Sequence, residues 1–349
     1  MRMNAIKAVA LLSGGLDSSL AVKLMLNEGI EVICVNFFTS FCMCDGSKGC
    51  RKSAAVVSEN FRTELKIVNV SEEFLDIVKN PVHGYGKHLN PCIDCRIFML
   101  KKAGEFMRQI GAKFIITGEV LGQRPMSQNR KAMEVIEKES GLEGFIVRPL
   151  SAKFFPPSLP EREGWINRAM LLGIKGRSRK KQYDLTEKLR VSGFACPAGG
   201  CLLTDRNFSL IVNDLINSDM LTVPNINLAK NGRYFSIGRF FKLFVGRNER
   251  ENIILKKFAR KGDLFLESES KGPVAVGRGE LNNENIQYAL NIVASYCKNE
   301  EAKISFSVLP GETSYRIIRD KLTEQNLADC RVPEKGREGK GRVLSNRPL

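Results

Sequence analysis

Two stretches of this chain gather residue types that can do chemistry. The first is Ser13-Gly14-Gly15-Leu16-Asp17-Ser18-Ser19, where an apolar run over Lys7–Leu12 gives way to a helical pattern. The glycines let the backbone turn sharply and bare its N–H groups, and a helix N-terminus adds roughly half a positive charge. Together these make an anion cradle. Ser13, Ser18 and Ser19 offer hydroxyls, and Asp17 can hold Mg²⁺ or cap the helix. Neither Gly-x-x-x-x-Gly-Lys-Ser/Thr nor Gly-x-Gly-x-x-Gly occurs here, so the two commonest phosphate fingerprints are set aside. The second stretch, Asn90-Pro91-Cys92-Ile93-Asp94-Cys95-Arg96, is a Cys-x-x-Cys ahead of a helix expected over 96–110. The helix dipole and Arg96 favour thiolates there, which suits a nucleophile or a metal ligand.

The remaining cysteines sort by spacing. Cys196-Pro-Ala-Gly-Gly-Cys201 sets two thiols on a turn. Cys42, Cys44 and Cys50 lie in a Gly-rich loop as Cys-x-Cys-x₅-Cys, a spacing that can hold Zn²⁺ with His83, His88 or Cys34 as fourth ligand. A mobile cysteine loop is the other reading. Cys34 sits in a strand pattern and reads as core, while Cys297 and Cys330 stand alone. A chain of 349 residues with ten cysteines does not need disulfide staples. No leader pattern and no run of 18 apolar residues appears, so a reducing, cytoplasmic setting without a membrane is expected.

Strand and helix patterns alternate over the first 150 residues, with strands at 7–12, 30–36, 65–70, 113–117 and 146–150. This predicts an α/β fold with a parallel sheet. In such a sheet ligands bind at the carboxyl ends of the strands. The loop Thr117–Gln128, with Gly118 and Gln123, falls at such an end. Beyond a Pro-rich connector at 154–160, helices are expected over 163–172 and 181–191, flanking the basic run Lys175–Lys181. From about residue 205 the pattern becomes α+β, giving domains at 1–204 and 205–315 and a basic, flexible tail at 316–349. The 54 Lys and Arg against 38 Asp and Glu leave a net charge of +16, which points to a polyanionic partner.

Ser-Gly-Gly-Leu-Asp-Ser-Ser resembles the PP-loop of ATP pyrophosphatases. That resemblance implies an adenine-nucleotide-α-hydrolase-like fold. ATP would be held by Ser13, Gly14, Gly15, Asp17, Ser18 and Ser19, with Mg²⁺, and pyrophosphate would leave as a substrate oxygen takes the AMP. Cys95-Arg96-x-x-Met99, Thr117-Gly118-Glu119-x-Leu121-Gly122-Gln123-x-x-x-Ser127-Gln128 and Arg148-Pro149-Leu150 resemble the PP-loop domain of tRNA 4-thiouridine sulfurtransferases. Asn90-Pro91-Cys92 is similar to tRNA 2-thiouridylases. The likeness spans about residues 5–205. It implies catalytic roles for Cys95 and Asp17 and nucleotide contacts from Gly118 and Gln123. Some tRNA thiolases hold a 4Fe–4S cluster on three cysteines, which Cys92, Cys95 and either Cys196 or Cys201 would match. Persulfide chemistry on Cys95, resolved by Cys196 or Cys201, is the alternative. The RNA-binding region that usually precedes the PP-loop, and a rhodanese domain, find no counterpart here. Sulfur is therefore expected from an external donor such as a cysteine desulfurase.

Residues 233–279 alternate cations with phenylalanines and carry Gly246-Arg247-Asn248, Asp263-Leu264-Phe265 and Gly272-Pro273. They resemble NFACT-R-type RNA-binding domains, with Phe265 where Trp is usual. Arg239, Arg247, Lys256 and Lys257 are the expected RNA contacts, since cations neutralise phosphates and aromatics stack on unpaired bases. The combined expectation is ATP-dependent thiolation of a tRNA uridine. An amide-forming PP-loop enzyme and a non-enzymatic RNA-binding adaptor are the alternatives.

Overall fold

The computed structural model describes residues 6–43, 49–195 and 200–332, with the Cys50 side chain outside that description. The chain divides into two compact units, Met1–Asp205 and Arg206–Leu349. Among the described residues, no helix is long and apolar enough to cross a membrane.

The first unit runs β1 (Lys7–Leu11), α1 (Leu16–Asn27), β2 (Glu31–Phe38), α2 (Cys50–Phe61), β3 (Glu64–Asn69), α3 (Ser71–Lys79), α4 (Cys92–Gln109), β4 (Phe114–Ile116), α5 (Arg130–Glu139), β5 (Ile146–Val147), α6 (Leu159–Arg162) and α7 (Lys180–Leu189). Its five strands form a parallel sheet in the order β3-β2-β1-β4-β5. β1 is central, with Val9 opposite Ile33 on one side and Ile115 on the other. A strand buried on both faces must be apolar throughout, and β1 alternates between two cores. Ala8, Ala10 and Leu12 pack with Ala21, Met25, Ala54 and Val57 of α1 and α2. Val9 packs with Ile97, Leu100 and Met107 of α4 and Ile136 of α5. Full burial of a side chain such as Leu100 contributes about 1.5–3 kcal/mol. The chain leaves β1 toward β2 on one side, while β4 joins it on the other. This reversal opens a crevice at the strands' carboxyl ends. Both candidate loops start there, one after β1 and one after β4.

Several expectations change. The helix of the thiol pair begins at Cys92, not Arg96, so both thiols belong to its first turn. The helix expected over 163–172 is replaced by α6 and a single 3₁₀ turn at Arg168–Met170. Gly164 at φ +69° interrupts it, and Ile166 and Leu171 bury themselves from irregular backbone instead.

The second unit contains α8 (Arg206–Asn217), α9 (Val223–Lys230), β6 (Arg233–Ile237), β7 (Phe241–Val245), α10 (Glu249–Phe258), β8 (Leu264–Ser268), β9 (Val274–Gly279), α11 (Asn283–Ser295), β10 (Ala302–Val308), β11 (Ser314–Ile318) and α12 (Glu324–Cys330). Its strands form an antiparallel sheet in the order β11-β10-β8-β9-β7-β6. α11 packs Leu290 and Val293 onto the sheet's Leu243, Leu266 and Ile304. The tail expected to be flexible from residue 316 is ordered through β11 and α12, because Ile318 and Cys330 join this core.

Candidate functional site

The turn after β1 opens α1 with bare backbone N–H groups. Gly14 takes φ +73°, a conformation that favours glycine, and Gly15 leads into α1 without any side-chain cap. Ser18 and Ser19 turn their hydroxyls back to the Gly15 carbonyl at 3.0 and 2.9 Å, and Ser13 and Ser18 share a hydrogen bond of 3.1 Å. Asp17 does not cap the helix. Its carboxylate accepts amide hydrogens from Gln123 at 2.6 Å and from Gln182 at 3.3 Å, and Gln182 also donates to Gln123 at 3.0 Å. Gln182 is wholly buried. Sequence reasoning missed it, although a glutamine spaced with Leu185, Thr186 and Leu189 on one helix face carries a signal.

Gly118 lies beneath this loop. A Cβ built there would stand 2.5 Å from the Ser18 amide nitrogen and 2.6 Å from the Asp17 carbonyl carbon, both rigid backbone. Gly118→Ala is therefore expected to cost about 1–3 kcal/mol of overpacking and to displace the loop. Urea unfolding and nucleotide binding would register both effects.

Next to Gly118, Glu119 is buried between Arg96 and Arg148. Arg96 Nη2 lies at 3.0 Å and Arg148 Nε at 3.2 Å. Burial pushes this carboxyl up, but the two guanidiniums outweigh it and hold the group below the usual carboxylate range. Losing one partner of such a buried pair typically costs ~3–5 kcal/mol, so the loop after β4 is firmly fixed. Arg96 is thereby engaged with Glu119.

That engagement bears on the thiols. Cys92 and Cys95 are half-buried. Burial pushes Cys92 up, against the pull of Arg124 and Arg96. Cys95 is pushed up to about 12, again by burial, with Arg96 opposing. The expected thiolates are neutral thiols in this state, because desolvation exceeds the help of the dipole and Arg96. Asp94, between them, latches the preceding loop. Its carboxylate accepts from the Val82 and His83 amides, each at 3.1 Å, and faces His83 Nδ1 at 3.2 Å. His83 Nε2 reaches Glu139 of α5 at 3.1 Å. Burial lowers the His83 pKa, but Asp94 and Glu139 more than reverse this and raise it.

Cys201 is also pushed up to about 12 by burial, and its surroundings include Cys95, Cys42 and Cys92. Cys196 and Cys44 lie outside the described residues. Cys34 is core as expected, with burial raising its pKa to about 11. Among the described residues, no three Cys, His, Asp or Glu side chains converge to hold a single metal ion. A zinc ion with ~2.3 Å bonds would draw its thiolates to within ~4 Å of one another. A polynuclear cluster, in which each iron takes its own thiolate, spaces them more widely.

Arg124 follows Gln123 in the loop after β4 and is exposed. Desolvation lowers its pKa, with Arg96 and Arg179 adding to this, while Asp17 and Cys92 oppose it. In the second unit, Arg247 pairs with Glu251 at 2.9 Å and Lys256 with Glu267 at 2.6 Å. Arg239 and Lys257 are exposed, and Arg239 stacks over Phe240.

Residues 4–153 match the family model described as thiamine biosynthesis protein (ThiI). Residues 232–329 match that of the NFACT protein RNA-binding domain. A probable tRNA sulfurtransferase of Thermococcus kodakarensis is 31% identical over 148 residues, covering 41% of this chain and 36% of the relative. A tRNA-specific 2-thiouridylase MnmA of Geotalea uraniireducens is 34% identical over 131 residues, covering 32% and 34%. The chain thus spans about a third of the length of these curated relatives. A solved 4-thiouridine synthetase–RNA complex with bound ATP aligns at TM-score 0.37 and 21% identity, covering 63% of this chain and 52% of that one. Residues 4–153 are thus similar to the ThiI family and residues 232–329 to the NFACT RNA-binding domains.

Proposed function

We propose that this chain is a cytoplasmic, ATP-dependent tRNA thiolase that converts a uridine to a thiouridine. The observation that carries this reading is that Arg96, next to Cys95, donates to Glu119 at 3.1 Å while the adjacent Gly118 packs against the Asp17–Ser18 backbone, so the thiol helix and the loop after β1 meet at one strand end. The ThiI family match and the names of the sulfurtransferase and thiouridylase relatives support it.

ATP is read into the loop of Ser13, Gly14, Gly15, Asp17, Ser18 and Ser19, with Mg²⁺ on the Asp17 carboxylate that Gln123 and Gln182 orient. The uridine carbonyl oxygen attacks the α-phosphorus, the bond to pyrophosphate breaks, and the glycine N–H groups and helix dipole hold the departing charge. In the persulfide route the outer sulfur on Cys95 attacks the activated carbon and expels AMP; Cys196 or Cys201 then attacks the Cys95 sulfur, which breaks the S–S bond, frees the thiouridine and leaves a protein disulfide for an external thiol reductant to reopen. The transferred sulfur comes from an external donor such as a cysteine desulfurase. It arrives as a Cys95 persulfide; alternatively, Cys92, Cys95 and either Cys196 or Cys201 would hold an iron–sulfur cluster. A bound cluster would supply a thiophilic surface for sulfide. The purified chain is expected to release pyrophosphate from ATP only when tRNA is added. Release of equal size without tRNA would contradict the reading.

The second unit is read as the tRNA grip. Ion-paired Arg247 and Lys256 must first give up their carboxylates, so Arg239 and Lys257 are the better phosphate ligands. Replacing both by Gln is expected to weaken tRNA binding and to flatten the plot of log affinity against log salt, by about 0.7–0.9 for each phosphate no longer neutralised. Filter binding across a salt series measures this.

A further inference from the structure

The basic run at 175–181 plays no part in holding Asp17 or the thiols, yet the fold ties it to both loops of the crevice. At its start, the backbone of Lys175 pairs with Leu121 as an isolated parallel bridge, and the Gly176 amide donates to the Leu121 carbonyl at 2.7 Å. The Lys175 ammonium lies over the Phe154 ring at 5.0 Å. Just past its end, buried Gln182 donates to Asp17 at 3.3 Å and to Gln123 at 3.0 Å. α7 then packs Leu185 and Leu189 against the cluster that holds Leu16 and Leu20 of α1. Beyond the helix the chain returns to the same turn, where the Ala195 amide donates to the Gly14 carbonyl at 2.7 Å. Residues 177–181 are therefore fixed on the rim between the loop after β4 and the turn that carries Asp17.

Arg177, Lys180 and Lys181 are exposed on this rim. Among the described residues, none of the three has a carboxylate partner. Asp184 and Glu187 follow on the exposed side of α7 without pairing with them. A merely solvated face of this chain looks different: Lys7 meets Glu31 at 3.3 Å and Lys102 meets Glu73 at 2.5 Å. Tyr183, one turn into α7, is 43% exposed and offers its ring beside the cations. Unpaired cations along a rim, with an aromatic ring next to them, are what a groove that tracks a nucleic-acid backbone requires. We propose that Arg177, Lys180 and Lys181 hold phosphates of the tRNA strand that carries the target uridine, with Tyr183 as a stacking surface for a neighbouring base. The assignment rests on the tRNA-thiolase reading and adds an RNA contact surface in the first unit to the one read into the second. ATP is the other phosphate source at this rim. The strand is favoured because the turn after β1 has its own N–H groups for a nucleotide, whereas these three side chains face solvent.

The test measures tRNA and ATP binding by the full chain across a salt series. Wild type is compared with a rim variant carrying Arg177→Gln, Lys180→Gln and Lys181→Gln. A control variant, Lys101→Gln, Arg108→Gln and Lys113→Gln, removes the same charge from exposed positions on α4 and just before β4. Circular dichroism checks that each variant is folded. The rim variant is expected to flatten the plot of log tRNA affinity against log salt by about 0.7–0.9 for each phosphate no longer held, about 2–3 in all. The control should keep the wild-type slope, and ATP affinity should stay within about twofold of wild type in both. Tyr183→Ala should weaken tRNA binding about fivefold or more without changing the slope, as the loss of one stacked base does. An unchanged slope in the rim variant, or equal flattening in the control, would make the run a solvated face and overturn the proposal. Lost ATP affinity with the tRNA slope intact would give the three cations to the nucleotide and overturn it too. If wild type shows no salt-dependent tRNA binding, the tRNA reading itself falls and this assignment falls with it.

Discussion

Cys95→Ala is expected to abolish thiouridine formation while leaving tRNA-dependent pyrophosphate release within about twofold of wild type. The two half-reactions draw on different groups. Adenylation needs the glycine turn, Asp17 and the fixed loop after β4, whose hydrogen bonds and close approaches do not involve the Cys95 side chain. Sulfur transfer needs a nucleophilic sulfur, which Ala cannot supply, and covalent chemistry has no partial substitute. Cys95 sits in the first turn of α4, where Ala is well tolerated, so lost activity would not reflect lost fold. Product analysis of single-turnover reactions should show adenylated tRNA accumulating. Thiolation at the wild-type rate would return Cys92 and Cys95 to a structural role.

The second large effect falls on the other half-reaction. Asp17→Ala is expected to lower pyrophosphate release by roughly 10²–10³-fold, the usual consequence of removing one preorganised charge from a transition-state site. Affinity for tRNA should remain nearly unchanged. Asp17 is held by Gln123 and Gln182 from two other segments, so its carboxylate is oriented before any ligand arrives. The variant would remove the Asp17 acceptor of the Gln123 amide and one of the two acceptors of the Gln182 amide, and a stability loss of about 1–3 kcal/mol should accompany the activity loss. Asp17→Asn separates the two effects, because it retains shape and one acceptor but not the charge. A parallel loss of tRNA binding in both variants would contradict the assignment of Asp17 to the phosphate end.

The strand–turn–helix at Ser13–Ser19 was legible in the sequence because glycine and serine crowd a single strand–helix junction, and local spacing carries that information. The five strands of the parallel sheet were legible for the same reason. What the sequence hid were contacts between distant segments. Gln182 reaches Asp17 across 165 positions, and Cys42 meets Cys201 across a backbone bridge. Both partners were visible as residue types, but nothing local pairs them. The state of the thiols was misread for a different physical reason. Helix dipole and Arg96 are apparent in the sequence, whereas burial is not, and burial decides the direction for Cys92 and Cys95. Asp94 read as a spacer between two cysteines; only the fold reveals that its carboxylate holds the backbone of Val82 and His83. In the second unit the cations were easy to see, yet the carboxylates that engage Arg247 and Lys256 emerge only once α10 and β8 are built.

The central claim is that this chain puts sulfur on a tRNA uridine. Its most direct test is mass spectrometry of nucleosides from total tRNA of cells lacking the chain, compared with the same cells carrying the wild-type chain or Cys95→Ala. The account predicts that one thiouridine species disappears in the deletion, returns with the wild-type chain and stays absent with Cys95→Ala. An unchanged thionucleoside profile in the deletion would contradict it.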